Sequence, residues 1–165
     1  MKRQKTMDDT TLKIIVPIIT FILGFAASRL TMSKKEHFDK QTKTLEISNQ
    51  LDSDITAAFQ EYQKALGKFI DAERRTLSEF LEVESAGVTY FQALNNAASA
   101  VLSGILSHES FKHTHLPKVI DGYYRAIPKH YETLNHIADQ CGLEYSGKFK
   151  LENYQTIHNA LEKYA

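Results

Sequence analysis

Apolar residues run through this chain first as one block and then as stripes. From Ile14 to Ser28 the sequence reads IIVPIITFILGFAAS, with no charge between Lys13 and Arg29. These 15 residues are shorter than the ~20 that usually cross a hydrocarbon core. Extended to Leu12–Met32 they would make about 31 Å of helix, with Lys13 and Arg29 snorkelling toward the headgroups. After residue 33 the pattern changes to three- and four-residue steps: Phe38, Leu45, Leu51 or Asp52, Ile55, Phe59, Tyr62, Leu66, Phe69, Glu73, Leu77 and Phe80. That is one apolar stripe on a helix, interrupted at Asp52 and Glu73. Ser33-Lys34-Lys35-Glu36 has the form of a capping box, and only Gly67 breaks the composition before Glu84. The spacing predicts one long helix over 33–84, which would reach roughly 75 Å, more than a compact domain of this size covers.

Ala86-Gly87 predicts a break, followed by a helix to about Ser107 with Val88, Phe91, Leu94, Val101, Leu102 and Ile105 on one face. HESFKHTHLP, at 108–117, reads as a loop. Pro117 is placed to start a third helix, Pro128 to kink or restart it, and Gly142 to stop it. A last helix from about Leu151 carries Tyr154, Ile157, Leu161 and Tyr164. No segment of useful length alternates with period two, so strands are not expected. The expected fold is all-α: a short tail (1–11), a single N-terminal transmembrane helix (12–32), then a helical body (33–165) of four or five helices led by the long stalk helix.

Three readings of residues 12–32 are open: a bitopic signal-anchor helix, a cleaved signal peptide ending near AAS, and a buried core helix. Asp8 and Asp9 are unusual in a signal-peptide start. A helix apolar on every face suits the core of a larger domain than this one. We take it as the signal anchor, with the lipid bilayer as its first partner. Four Lys or Arg lie in the first 15 residues and five in 29–43, which favours a cytoplasmic body. Small residues and a proline within the span (Pro17, Thr20, Gly24) suit close helix association as well as plain lipid exposure. If helices associate, Ile14, Pro17, Thr20, Phe21, Gly24 and Ser28 are the pore-lining or membrane residues. A stalk longer than its bundle would pack on other copies, so a homo-oligomer is expected.

Charge narrows the chemistry. The chain of 165 residues has 20 basic and 20 acidic residues, but beyond residue 32 there are 15 basic against 18 acidic, a net −3. Such a body has no general attraction for nucleic acid, so RNA contact would be local. A single cysteine, Cys141, excludes an internal disulfide framework and CxxC zinc knuckles. Neither a phosphate loop, a Gly-rich dinucleotide fingerprint nor a nucleophile elbow occurs. His108, His113 and His115 with Glu109 resemble a loop metal site, but no cysteine is near, and no metal or other cofactor is expected. Asp52 and Asp54 read as solvated charges.

The string Arg125-Ala126-Ile127-Pro128-Lys129-His130 carries the sharpest chemical suggestion. An arginine holding a scissile phosphate and a histidine moving the proton of a 2′-hydroxyl would cleave RNA without metal. Lys129, Tyr124 and Tyr131 beside it form a basic, aromatic patch suited to a nucleotide. A helix-start arginine paired with a carboxylate and a histidine on a packed face explains the same residues with no ligand.

RAIPKH in an all-helical domain resembles the Rx4–6H motif of the HEPN superfamily. The whole plan, a HEPN-like domain on one N-terminal membrane helix, looks like the small membrane accessory proteins of type VI-B CRISPR systems. That resemblance implies a bacterial inner-membrane protein working beside an RNA-guided CRISPR RNase in antiviral defence. It also implies a ring of copies whose membrane helices form a pore that depolarises the membrane. Arg125 and His130 would be the HEPN-like pair. Nuclease members commonly carry a polar residue after the arginine, where this chain has Ala126. That departure and the acidic body point away from catalysis, toward a pair that stabilises the fold or a subunit interface. Two alternatives stay open: a membrane-tethered ribonuclease using Arg125 and His130, and a bitopic scaffold.

Overall fold

A computed structural model describes the backbone of residues 9–72 and 76–165, and the side chains of 33–36, 38–72 and 76–165. Every regular element among them is helical: α1 (Asp9–Asp71), α2 (Leu77–Leu102), α3 (His108–Ser110), α4 (Leu116–Asp121), α5 (Ile127–Cys141) and α6 (Gln155–Tyr164), the last preceded by a 3-10 turn at Leu151–Tyr154. No strand occurs among the described residues, as the period-three-to-four stripes require. The chain divides into two units, residues 1–43 and 44–165.

In the first unit α1 is described from Asp9 onward, and Ser33-Lys34-Lys35-Glu36 lies inside it rather than capping a new helix. Its described side chains are all exposed, Phe38 included. The expected membrane segment 12–32, with Ile14, Pro17, Thr20, Phe21, Gly24 and Ser28, has its side chains outside the described residues. Among the described residues no helix is long and apolar enough to cross a membrane.

The second unit holds the core. On α1 the buried side chains are Ser48, Ile55, Tyr62, Ala65 and Phe69, four of them seven residues apart and Ala65 one turn on from Tyr62, a single stripe facing the other helices. Two helices then occur where one of 33–84 was expected. α1 stops at Asp71, and Thr76 opens α2 with a capping box: its Oγ accepts from the Glu79 N–H at 3.3 Å, and Glu79 Oε2 accepts from the Thr76 N–H at 3.0 Å. Two of the orphan donors at the helix start are thereby satisfied. The Ala86-Gly87 break does not occur; both residues lie within α2. That helix ends at Leu102, with Gly104 at a φ of 73° and the Leu106 N–H returned to the Ala100 carbonyl at 3.0 Å.

Residues 108–117 are helical, not a loop. From α3 to α5 the backbone stays in the right-handed helical region, with two wider turns at Phe111–His115 and Gly122–Ala126. In each, the closing N–H reaches back five residues: Leu116 to the Phe111 carbonyl, Ile127 to the Gly122 carbonyl. Pro117 or Pro128 follows immediately. A proline has no N–H to close an ordinary turn, and its ring collides with the carbonyl four residues back; a widened turn relieves both. The prolines therefore bulge the helical run without ending it. Gly142, at a φ of 65°, stops α5, and the Leu143 N–H returns to the Ala138 carbonyl at 2.9 Å.

Two glycines let this run lie close to α2. A Cβ on Gly122 would strike the Leu94 side chain, and one on Gly87 would enter the His130 ring. α6 completes the core with Ile157, Ala160 and Leu161.

Candidate functional site

His130 is set by α5 into the middle of the core and is 1% exposed. Its ring meets Phe91 edge-on at 5.0 Å between centroids, Tyr62 at 5.3 Å and Tyr131 at 5.3 Å, while the Gly87 backbone closes one side. Nδ1 shares a 2.8 Å hydrogen bond with the Tyr62 hydroxyl, 68 residues away on α1. Nε2 is buried without a partner. Burial disfavours the charged imidazolium, and the His130 pKa is pushed down to about 4. Burial likewise pushes the Tyr62 phenol up to about 12, so the pair is neutral on both sides at pH 7.

Arg125 lies in the second widened turn and its side chain is 81% exposed. Its guanidinium pairs with Asp121, one helical turn back, at 2.5 Å. Arg125 and His130 thus occupy different environments: one in water on a carboxylate, the other enclosed by aromatic rings. A phosphate held by Arg125 would not find the imidazole Nε2 at a solvent face, and a neutral histidine with a low pKa is a poor proton donor at pH 7.

The surrounding patch is divided in the same way. Lys129 is exposed and pairs with Glu132 at 3.4 Å, and Tyr124 is exposed. Tyr131 is half-buried and shares a 3.0 Å hydrogen bond with the Tyr154 hydroxyl. Lys129 and Tyr124 therefore face solvent, whereas Tyr131 belongs to the aromatic packing behind His130.

The loop-metal histidines are also dispersed. His115 is fully buried, its Nε2 3.1 Å from the Ser48 hydroxyl and its Nδ1 unpartnered. Burial pushes its pKa down, partly offset by Asp52. His113 is exposed, and His108 lies 4.9 Å from the Tyr164 ring. Among the described residues no group of three or more histidines, cysteines or acids is arranged to hold a metal ion. Asp52 is not merely solvated: it accepts from Lys118 at 2.6 Å. Asp54 accepts from Gln50 at 2.7 Å and is exposed.

Sequence reasoning missed Tyr62, Ser48 and Gly87 as polar and steric partners of the buried histidines. The available signal was Gly87, a glycine inside an otherwise periodic helix, which marks close approach of another group as readily as a break. No family model matches this chain, and neither any curated protein nor any solved structure matches it.

Proposed function

We propose that this chain is a membrane-anchored accessory protein of a bacterial RNA-targeting CRISPR defence system. In this reading residues 12–32 form a single transmembrane helix in the inner membrane, and the body is a cytoplasmic HEPN-like bundle. Copies assemble into a homo-oligomeric pore that depolarises the membrane and strengthens defence. The coupling to an RNA-guided RNase is functional, and Arg125 and His130 serve the fold and its surface rather than RNA cleavage.

The observation that carries this reading is the enclosure of His130 by Tyr62, Phe91, Tyr131 and Gly87. A histidine neutral and shut from solvent supports packing better than proton transfer, which moves the weight from the RxxxxH string to the uncharged run at 14–28. Support also comes from the continuous helical backbone of α1 from Asp9 onward.

The test is membrane potential, read with a voltage-sensitive dye in bacteria expressing the chain with and without an active RNA-targeting partner under phage challenge. Depolarisation that is altered by Gly24→Asp and retained in Arg125→Ala is the expected outcome. An unchanged potential alongside retained protection would overturn the pore. Cleavage of RNA by the purified protein, lost in both Arg125→Ala and His130→Gln, would install the ribonuclease in its place.

A further inference from the structure

A cleft of about 480 Å³ opens between α1, α2 and α4, within the 44–165 unit. Ile55, Phe59 and Pro117 give it an apolar wall. Tyr90 forms part of its lining and is only 4% exposed, with its ring 5.2 Å from Phe59 and stacked on Tyr62 at 6.2 Å. The Tyr90 hydroxyl makes no hydrogen bond with any described residue, yet it is not sealed in the way His130 Nε2 is. A tyrosine otherwise buried, with its polar end left free at a cleft, is a group awaiting a partner.

Thr56 and two charged residues complete the lining, and the two charges differ in how far they are committed. The Lys118 ammonium is held by Asp52 at 2.6 Å and by Thr56 at 3.3 Å. Asp121 gives one oxygen to the exposed Arg125 guanidinium and has no described partner for the other. An ion pair to so exposed a guanidinium is weak and readily exchanged. The carboxylate is therefore the charge with capacity to spare, and it stands beside aromatic faces that carry the same sign of potential. Burial and the nearby Asp121 both push the Tyr90 pKa up, which keeps its phenol neutral and able to accept a hydrogen bond.

We propose that this cleft binds a small organic cation with an apolar or aromatic body, an arylalkylammonium in size and charge. The ammonium donates to the free Asp121 oxygen and to the Tyr90 hydroxyl oxygen, and the body lies against Ile55, Phe59 and Pro117. The volume falls within the range of small-molecule sites, and an apolar wall with a few converging polar groups is their usual make-up. This inference stands apart from the membrane function and does not depend on it.

The probe is 2-phenylethylammonium, titrated into the full chain in detergent micelles and followed by calorimetry and by the NMR signals of labelled tyrosine. 3-Phenylpropionate serves as the charge-reversed control. Saturable binding of the ammonium is expected, with a preference of at least about 10-fold over the carboxylate. Asp121→Asn should weaken it about 10-fold and Tyr90→Phe about 3- to 10-fold. Arg125→Ala, which frees the carboxylate, should tighten it a few-fold. Equal binding of both probes, no saturable binding, or an unchanged affinity in Asp121→Asn would each overturn the proposal. The thermal midpoints of the variants, matched to the parent, separate lost contact from lost fold, and Tyr90→Phe removes no hydrogen bond of the protein.

Discussion

The surface around Arg125 and the core around His130 handle polar groups in opposite ways. Arg125 keeps its charge in water and spends one contact on a neighbouring turn's carboxylate. His130 gives up its charge, shares one hydrogen bond with a residue 68 positions away, and leaves its second nitrogen bare. The first arrangement is local and cheap to lose. The second ties α1 to α5 through the core, and everything about it depends on the packing remaining closed. A fixed spacing between an arginine and a histidine therefore says little about joint chemistry until both side chains are known to share a solvent face. Here the widened turn before Pro128 and the glycine on α2 decide the issue by bringing the imidazole inward.

Removing His130 is the strongest way to break the contrast. His130→Ala would leave a ring-sized cavity among Phe91, Tyr62 and Tyr131 and strip the Tyr62 hydroxyl of its buried partner. A loss of about 3–4 kcal/mol is expected in urea unfolding, from the cavity and the orphaned phenol together. A loss under about 1 kcal/mol would mean the ring is not packed as described.

Acid tests the same group without a mutation. The folded pKa of His130 is about 4 against an ordinary 6.5, so between those values the unfolded chain takes up a proton that the folded one refuses. Stability should be fully present above pH 6.5, fall as pH drops through this window, and level off below about 4. The size is about 3 kcal/mol, from the shift at 1.36 kcal/mol per unit. His115, lowered in the same direction by burial, adds to the fall. Around the His130 ring stand Tyr62, Phe91, Tyr131 and the Gly87 backbone; none of these carries a charge at pH 7 to offset the effect. Denaturation curves from pH 7.5 to 4 check it, and in His130→Gln the slope should shrink to the remainder from His115 and the carboxylates.

Much of the fold is legible in the residues, and the gaps have physical causes. The three- and four-residue steps through Ile55, Tyr62 and Phe69 and the lack of period-two segments are visible as pattern, so helices follow directly, whereas Ser48 on the same stripe is not marked by polarity. The change from α1 to α2 is hidden in the sequence because apolar spacing carries from Phe69 to Leu77 and Phe80. The Thr76–Glu79 capping box was the contrary signal. Pro117 reads as a helix start and Pro128 as a kink or restart, while the segment before Pro117 reads as a loop. Polarity in HESFKHTHLP hides a helical run whose buried side chains are Phe111, His115 and Leu116. The histidine's fate is the least legible: its burial depends on Tyr62, which carries no local mark of the contact, and on Gly87, whose place inside a periodic helix marks a close approach without naming the group that makes it.

Gly87→Ala sharpens the comparison from the α2 side. A Cβ there would lie 2.7 Å from His130 Nδ1 and 2.9 Å from Nε2, so the imidazole or the helix must shift. Alanine favours the helix by about 1 kcal/mol, while overpacking costs about 1–3 kcal/mol. The net expectation is destabilisation of about 0–2 kcal/mol, accompanied by an upfield or downfield change in the His130 ring signals. The double variant with His130→Ala should be less destabilised than the sum of the two, because the cavity accepts the methyl. Additive losses would show that the two groups do not meet.

The smallest effect belongs to Arg125→Ala, and its smallness is the point. The guanidinium is 81% exposed and its only described partner is Asp121 on the preceding turn. Pairs of this kind contribute about 0.3–0.5 kcal/mol on a helix surface and less as salt screens them. The unfolding free energy measured in urea should therefore change by less than about 0.5 kcal/mol, and its difference from the parent should vanish by 1 M salt. The His130 titration should stay unchanged, since no contact links the two side chains. A shift in the His130 signals on removing Arg125 would reveal coupling across the RAIPKH string, and with it a shared site that the surface arginine and the buried histidine do not otherwise display.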